Sequence, residues 1–300
     1  MSLLNTIVVK SLPLVPKSIV GQVSKRYIAG ESLDDAVRTV RALNTNGFLA
    51  TVDLLGEDIK EASEAIQTKT AVLRMLGAIT EERLTSNVSI KPTQLGLRID
   101  RELCYENIKA LVSYAKSKEN FVRIDMEDST TTDDTLAIYY RLREEGFKNV
   151  GVVLQAYMKR TETDCRELLR VGANIRLCKG IYNEPPAVAF KDREEIRKNF
   201  MKSLRILLEG GAYVGIATHD DVLVNHAYGL VKDLKLQPAQ YEFQMLLGVT
   251  ENLRASVVQN NHRLRVYVPF GEQWYPYSTR RLKENPHMAG YIFKAMFTSS

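Results

Sequence analysis

The chain has 300 residues, of which 45% are hydrophobic and 26% charged, with a formal net charge of +5. That length and composition suit one large α/β barrel with ample apolar material for its core. The basic residues form no long block, which speaks against nucleic acid as a partner and leaves a mild affinity for anionic membrane surfaces open.

Cys104, Cys165 and Cys178 are widely spaced, odd in number and form no CxxC. This argues against a disulfide framework or zinc site and fits a reducing, cytoplasmic setting. His219, His226, His262 and His287 show no HExxH spacing, so no metal is expected. No run of 18 apolar residues exists to span a membrane, and the stretch from Met1 to Val20 lacks the pattern of a signal peptide.

In chain order, residues 1–46 read as a helical lead-in, and residues 47–300 as a catalytic barrel. Short β-branched runs predict strands at Phe48–Val52, Val88–Ile90, Phe121–Met126, Val150–Gln155, Asn174–Leu177, Tyr213–Ala217, Tyr241–Gln244 and Leu264–Val268. Helical periodicity fills the intervals at Glu57–Leu76, Arg101–Ser117, Thr132–Glu145, Thr161–Val171, Glu194–Glu209, Asp221–Leu234 and Thr250–Asn260. Eight strands alternating with helices predict a closed (β/α)8 barrel, with a doubly wound open sheet as the rival. The rival lacks its glycine devices: no GxGxxG follows a predicted strand, and no GxxxxGK[ST] occurs.

Active sites of such barrels form at the carboxyl ends of the strands. Here those ends carry Lys91, Asp125 with Glu127, Gln155 with Tyr157, Arg176 with Lys179, Thr218 with His219, Glu242 with Gln244, and Tyr267, which is expected to end the eighth strand. Each has a structural alternative. Lys91 could be a solvated loop lysine, Asp125 a cap or ion-pair partner, Arg176 a bridge to a neighbouring strand's carboxylate, His219 a satisfied structural histidine or helix cap and Cys178 inert filler. Jointly they are hard to explain as packing, because buried polar groups without partners are costly.

The segment from Trp274 to Pro286 reads as a helix started by Pro276 and stopped by Pro286. Tyr277, Arg280, Arg281 and Glu284 share one face of it. Two adjacent guanidinium groups suit a small carboxylate, which Arg binds bidentately, with Glu284 one turn beyond Arg280 to hold the geometry. A solvated charged face is the alternative.

These segments resemble the proline dehydrogenase family, close to its compact monofunctional bacterial members. The resemblance rests on Val-Ser-Ile-Lys-Pro-Thr at 88–93, Val-Arg-Ile-Asp-Met-Glu at 122–127, Leu-Gln-Ala-Tyr at 154–157 and Ile-Arg-Leu-Cys-Lys-Gly-Ile-Tyr-Asn-Glu-Pro at 175–185. It continues through Ala-Thr-His-Asp at 217–220, Glu-Phe-Gln-Met-Leu-Leu-Gly at 242–248, Val-Tyr-Val-Pro-Phe-Gly at 266–271 and the Tyr-Ser-Thr-Arg-Arg-Leu-Lys-Glu helix, with Arg-Tyr-Ile-Ala-Gly-Glu at 26–31 as lead-in.

The resemblance implies a distorted (β/α)8 TIM-type barrel that oxidises L-proline to 1-pyrroline-5-carboxylate with non-covalent FAD. It also implies electron transfer to a quinone-type acceptor, peripheral contact with the inner face of the cell membrane, and handover of product to a pyrroline-5-carboxylate dehydrogenase. Asp125 and Arg176 become the catalytic pair, Asp125 orienting the basic groups and Arg176 approaching the flavin's hydride-accepting nitrogen. Met126, Gln155, Lys179, Gly180, Ile181, Thr218 and His219 join Arg176 as flavin contacts. Lys91, Arg280 and Arg281 take the substrate carboxylate, Tyr182, Leu246, Tyr267 and Tyr277 pack its ring, and Glu284 completes the network. Two positions depart from the family pattern: Ile181 stands where Ala is usual, and Asn285 where Arg is frequent.

Two other classes stay in view. A Schiff-base aldolase on the same barrel would use Lys91 or Lys179 as nucleophile. A non-catalytic protein binding small anions or a membrane surface would turn over nothing.

Overall fold

In this computed structural model the chain is described over residues 17–56 and 58–284, excluding the side chains at 18, 19, 22, 23 and 280–284. Among the described residues two helices, α1 (Lys17–Ser24) and α2 (Leu33–Thr45), precede the first strand, β1 (Leu49–Leu54). Then follow α3 (Ala62–Glu81), β2 (Ser86–Ile90), α4 (Arg101–Ser117), β3 (Val122–Ile124), α5 (Thr132–Glu144), β4 (Val150–Gln155) and α6 (Thr161–Arg170). The chain continues with β5 (Asn174–Cys178), α7 (Arg193–Glu209), β6 (Tyr213–Ala217), α8 (Asp221–Asp233), β7 (Tyr241–Leu246), α9 (Glu251–Gln259), β8 (Leu264–Phe270) and α10 (Trp274–Glu284). Successive strands pair in parallel, and β8 returns to β1 with Val52 opposite Val268, so the sheet closes on itself. The open-sheet rival is thereby excluded.

Alternation along the strands makes two surfaces. One set, including Ile124, Val152, Ile175, Val214, Phe243 and Val266, is fully buried in the main apolar core with residues of the surrounding helices, among them Leu111, Leu142 and Leu204. The other set carries Arg123, Arg176, Glu242, Gln244, Arg265 and Tyr267. Its members bond across strands that are not neighbours, for example Arg176 on β5 to Ser89 on β2, so this face is the barrel interior.

Capping side chains fix the helix starts. Asp100 accepts from the Leu103 N–H at 2.8 Å to open α4, and Asp192 and Asp220 do the same for α7 and α8. The expected helix from Glu57 to Leu76 instead runs from Ala62 to Glu81, because Glu61 and Glu64 form a reciprocal capping box that sets the start. Only the fourth and sixth strands keep their expected limits. The third strand is confined to Val122–Ile124, and the eighth extends through Phe270. Tyr267 therefore does not end its strand but sits inside it, paired with Thr51 and Leu246.

The lead-in helix α1 packs on α10. Ser24 donates to the Ser278 hydroxyl at 2.7 Å, and Val20, Tyr27, Ile28, Leu55 and Tyr277 form a separate apolar cluster there. Trp274 Nε1 donates to Glu31 at 2.6 Å.

Candidate active site

The carboxyl-end mouth of the barrel is organised around Arg176. Its NH1 donates to Asp125 Oδ1 at 2.6 Å, NH2 to Ser89 Oγ at 3.0 Å and Nε to Gln244 Oε1 at 2.5 Å. Asp125 also accepts from Ser89 at 3.2 Å and from the Tyr267 hydroxyl at 3.0 Å. The guanidinium carbon lies 5.3 Å from the centroid of the Tyr267 ring. Arg176 does pair with a carboxylate, but Asp125 lies just past β3, which is not a neighbour of β5. Burial, with the Asp125 and Asp53 charges nearby, pushes the Tyr267 phenol well above its ordinary range.

Beside this group stands a second buried pair. Lys91 Nζ donates to both oxygens of Asp53, each at 2.8 Å. Lys91 is 8% and Asp53 1% exposed, which excludes a solvated loop lysine. Burial pulls the ammonium down, but the Asp53 and Asp125 charges outweigh it and hold Lys91 above the ordinary lysine range. Its Nζ is buried and held by both oxygens of Asp53, so it is not presented as the free amine that the Schiff-base reading needs. Lys179, the other nucleophile of that reading, is ion-paired with Asp220 at 3.1 Å.

The β4–β6 side of the mouth is rich in donors. Gln155, buried, donates to the Glu127 carbonyl at 2.8 Å; the Glu127 carboxylate in turn takes the Thr93 N–H and hydroxyl. Lys179, Arg193 and Arg197 converge on Asp220, whose side chain is 2% exposed. Burial alone would raise Asp220; hydrogen bonds from Arg197 and Lys179 reverse that and hold it well below the usual carboxylate range. Asp220, not His219, caps α8. His219 Nε2 instead accepts the Leu246 N–H at 2.9 Å, so a neutral His219 ring carries its proton on Nδ1.

Gly180 has φ +105°, and a Cβ there would lie 2.1 Å from the Tyr157 ring. The Tyr157 ring fills the space that a Cβ would need, so only glycine allows this close approach. Ile181 and Tyr182 follow, half-buried, while Met126 and Thr218 are buried. Glu184, 5% exposed, accepts from the Ser129 N–H and hydroxyl and ties this loop to the one after β3.

Of the substrate-side residues, Tyr267 and Tyr277 are buried and Leu246 is half-buried at the end of β7. A cleft of about 490 Å3 opens beside Lys91, walled by Leu55, Ile59, Gln94, Pro276 and Tyr277. The backbone of α10 carries Arg280, Arg281 and Glu284; their side chains, and Asn285, lie outside the described residues. Among the described residues no cluster of His, Cys, Asp and Glu could hold a metal ion.

The sequence reading missed Asp53 and left Ser89 and Glu184 out of the site. Asp53 directly follows the last residue assigned to the first strand, and its partner Lys91 is 38 residues away.

The proline dehydrogenase family model matches residues 36–292. Proline dehydrogenase 1 of Bacillus subtilis (strain 168) is 37% identical over 273 residues, covering 91% of this chain and 90% of that protein. Proline dehydrogenase of Deinococcus radiodurans is 33% identical over 283 residues, covering 91% and 89%. Among solved structures, proline utilization A from Bdellovibrio bacteriovorus, inactivated by N-propargylglycine, superposes with a TM-score of 0.83 at 24% identity. It aligns with 88% of this chain, which spans only 33% of that longer one. A matched family model over most of the chain, close relatives along nearly their whole length and a closed eight-stranded barrel agree: the chain belongs to the proline dehydrogenase family.

Proposed function

We propose that this chain oxidises L-proline to 1-pyrroline-5-carboxylate with non-covalently bound FAD and passes the electrons to a quinone-type acceptor. The carrying observation is the buried Arg176–Asp125–Tyr267 group beside Lys91–Asp53 at the barrel mouth. It offers fixed positive charge and a shaped aromatic wall where family members act.

The donor set fits a flavin. Gln155, Lys179, Thr218, His219 and the backbone at Gly180 and Ile181 would hold it, with Met126 and Arg176 against its ring system. FAD, when bound, supplies a hydride acceptor that gains negative charge on reduction. The chain's own residues do the rest. Lys91 with Arg280 and Arg281 would clamp the proline carboxylate, so that the carbon next to nitrogen faces the cofactor. Tyr182, Leu246, Tyr267 and Tyr277 would enclose the apolar ring and exclude water. Arg176, oriented by Asp125, would place a cation where negative charge builds up.

Product handover to a pyrroline-5-carboxylate dehydrogenase and peripheral contact with the inner membrane face belong to the same proposal. No helix among the described residues is long and apolar enough to cross a membrane.

Acid precipitation of the purified protein is the test. Yellow colour released into the supernatant and bleached by L-proline before precipitation is expected. Colour kept in the pellet overturns non-covalent binding, and a colourless protein overturns the flavin reading.

A further inference from the structure

Arg176 is oriented from the floor of the barrel as well as from its rim. Gln244 on β7 accepts from Arg176 Nε through Oε1 at 2.5 Å, while its Nε2 donates to Glu242 Oε1 at 2.7 Å. Glu242 lies two residues earlier on the same inward face and takes Arg265 Nε at 2.6 Å and the Tyr213 hydroxyl at 2.8 Å. Arg265 is anchored by its NH1 to the Ala50 carbonyl at 2.6 Å. Burial would raise the Glu242 carboxyl, but Arg265 overrides that and holds it below the ordinary range, so the group is an anion and only accepts.

A primary amide has one accepting and one donating end. Turned the other way, Gln244 would set its carbonyl against the Glu242 carboxylate and its NH2 against the Arg176 guanidinium, unfavourable at both contacts. The residue is 5% exposed, so water cannot relieve either clash. Leu or Met of similar size satisfies neither end, and Glu brings two carboxylates together. The neighbouring strand makes room for this arrangement: a Cβ at Gly215 on β6 would lie 2.4 Å from Gln244 Nε2.

We propose that Gln244 is a positioning residue for Arg176: its amide, locked in one orientation by Glu242, fixes the guanidinium so that NH1 and NH2 address Asp125 and Ser89. The consequence for turnover rests on the flavin reading above. A guanidinium that loses its Nε anchor can rotate away from the place where negative charge develops, without the substrate carboxylate losing its clamp. Gln244 thus acts on the rate and on the reduction equilibrium, and hardly on substrate affinity.

Two variants of the holoenzyme test this. Gln244→Met removes both ends of the amide at similar volume; Gly215→Ala leaves the amide in place and displaces its Nε2 end, the tip of a flexible side chain. For Gln244→Met we expect kcat to fall about tenfold, the scale of a lost hydrogen bond to a charged group, with KM for proline within about twofold. The equilibrium constant for flavin reduction should fall by about tenfold, equivalent to about 30 mV for a two-electron couple. Gly215→Ala should move both in the same direction by less. Independently of any flavin, the Arg176 Nε–H in arginine-labelled protein should exchange slowly with water in wild type and faster in both variants. Unchanged kcat and reduction equilibrium, or a loss expressed wholly in KM, overturns the proposal. So does fast Arg176 Nε–H exchange in wild type. If wild type is not reduced by proline, the functional reading fails instead, and the exchange measurement alone still decides the role of Gln244.

Discussion

The Tyr267 hydroxyl donates to Asp125 Oδ2 at 3.0 Å, joining a residue in the middle of β8 to the residue just past β3 across the barrel mouth. That bond leaves Asp125 Oδ1 for Arg176, so the carboxylate serves both partners at once. Tyr267→Phe keeps the aromatic wall and deletes this one bond. Hydrogen bonds to charged groups are worth about 1.5–3 kcal/mol, so kcat/KM for proline should fall by about tenfold or more. Equal kcat/KM in wild type and variant would show that Asp125 needs no help from the phenol.

Arg281→Met keeps much of the aliphatic stem and the helix propensity of α10 while removing a charge. If the guanidinium takes the substrate carboxylate, kcat/KM falls by roughly ten- to over a hundred-fold. Flavin content and melting temperature stay near wild type. Normal kinetics would return this helix face to solvent and weaken the assignments of Arg280 and Glu284.

Gly180→Ala meets two obstacles at once, a φ of +105° and a Cβ 2.1 Å from the Tyr157 ring. The left-handed backbone alone costs roughly 1–2 kcal/mol for a residue with a Cβ. Flavin should be retained less well after gel filtration, and Tm should drop. Adding Tyr157→Leu relieves the steric part and not the backbone part, so recovery should be incomplete. Full retention of flavin in Gly180→Ala would remove this backbone from the cofactor's surroundings.

Asp220 is held below its unfolded value by Arg197 and Lys179 against the opposing effect of burial. A depressed carboxylate contributes stability above its unfolded pKa, near 3.9, and loses it as pH falls through the lower folded value. Asp220→Asn keeps an N-cap for α8 and discards the charge. Its Tm should lie a few degrees below wild type at neutral pH, and the gap should narrow progressively as pH falls below about 4. A gap that persists unchanged at acid pH would assign the loss to capping or packing instead.

The barrel was legible because its two surfaces differ in kind. A lysine, aspartate or arginine set in a β-branched run, as in Val-Ser-Ile-Lys or Ile-Arg-Leu-Cys, marks a strand with a wet or chemically used inner face. Lys91, Asp125 and Arg176 were found that way. Pairing was not legible, because register across the barrel decides it. Nothing local says that Arg176 meets Gln244, 68 residues on, or that Asp53 takes Lys91. The helix expected from Glu57 starts later for a local reason: the Glu61–Glu64 cap sets its first turn.

The bond between Ser24 and Ser278 spans 254 positions of sequence. It seats the helix that carries Arg280 and Arg281 against a helix synthesised long before it. Synthesis runs from the N-terminus, at about 5–20 residues per second, so α1 must wait many seconds for its partner. During that interval the barrel strands can pair while the arginine pair has yet to arrive. On the proposed function, a nascent chain would thus pair most strands of its barrel before the helix that carries the carboxylate clamp can dock.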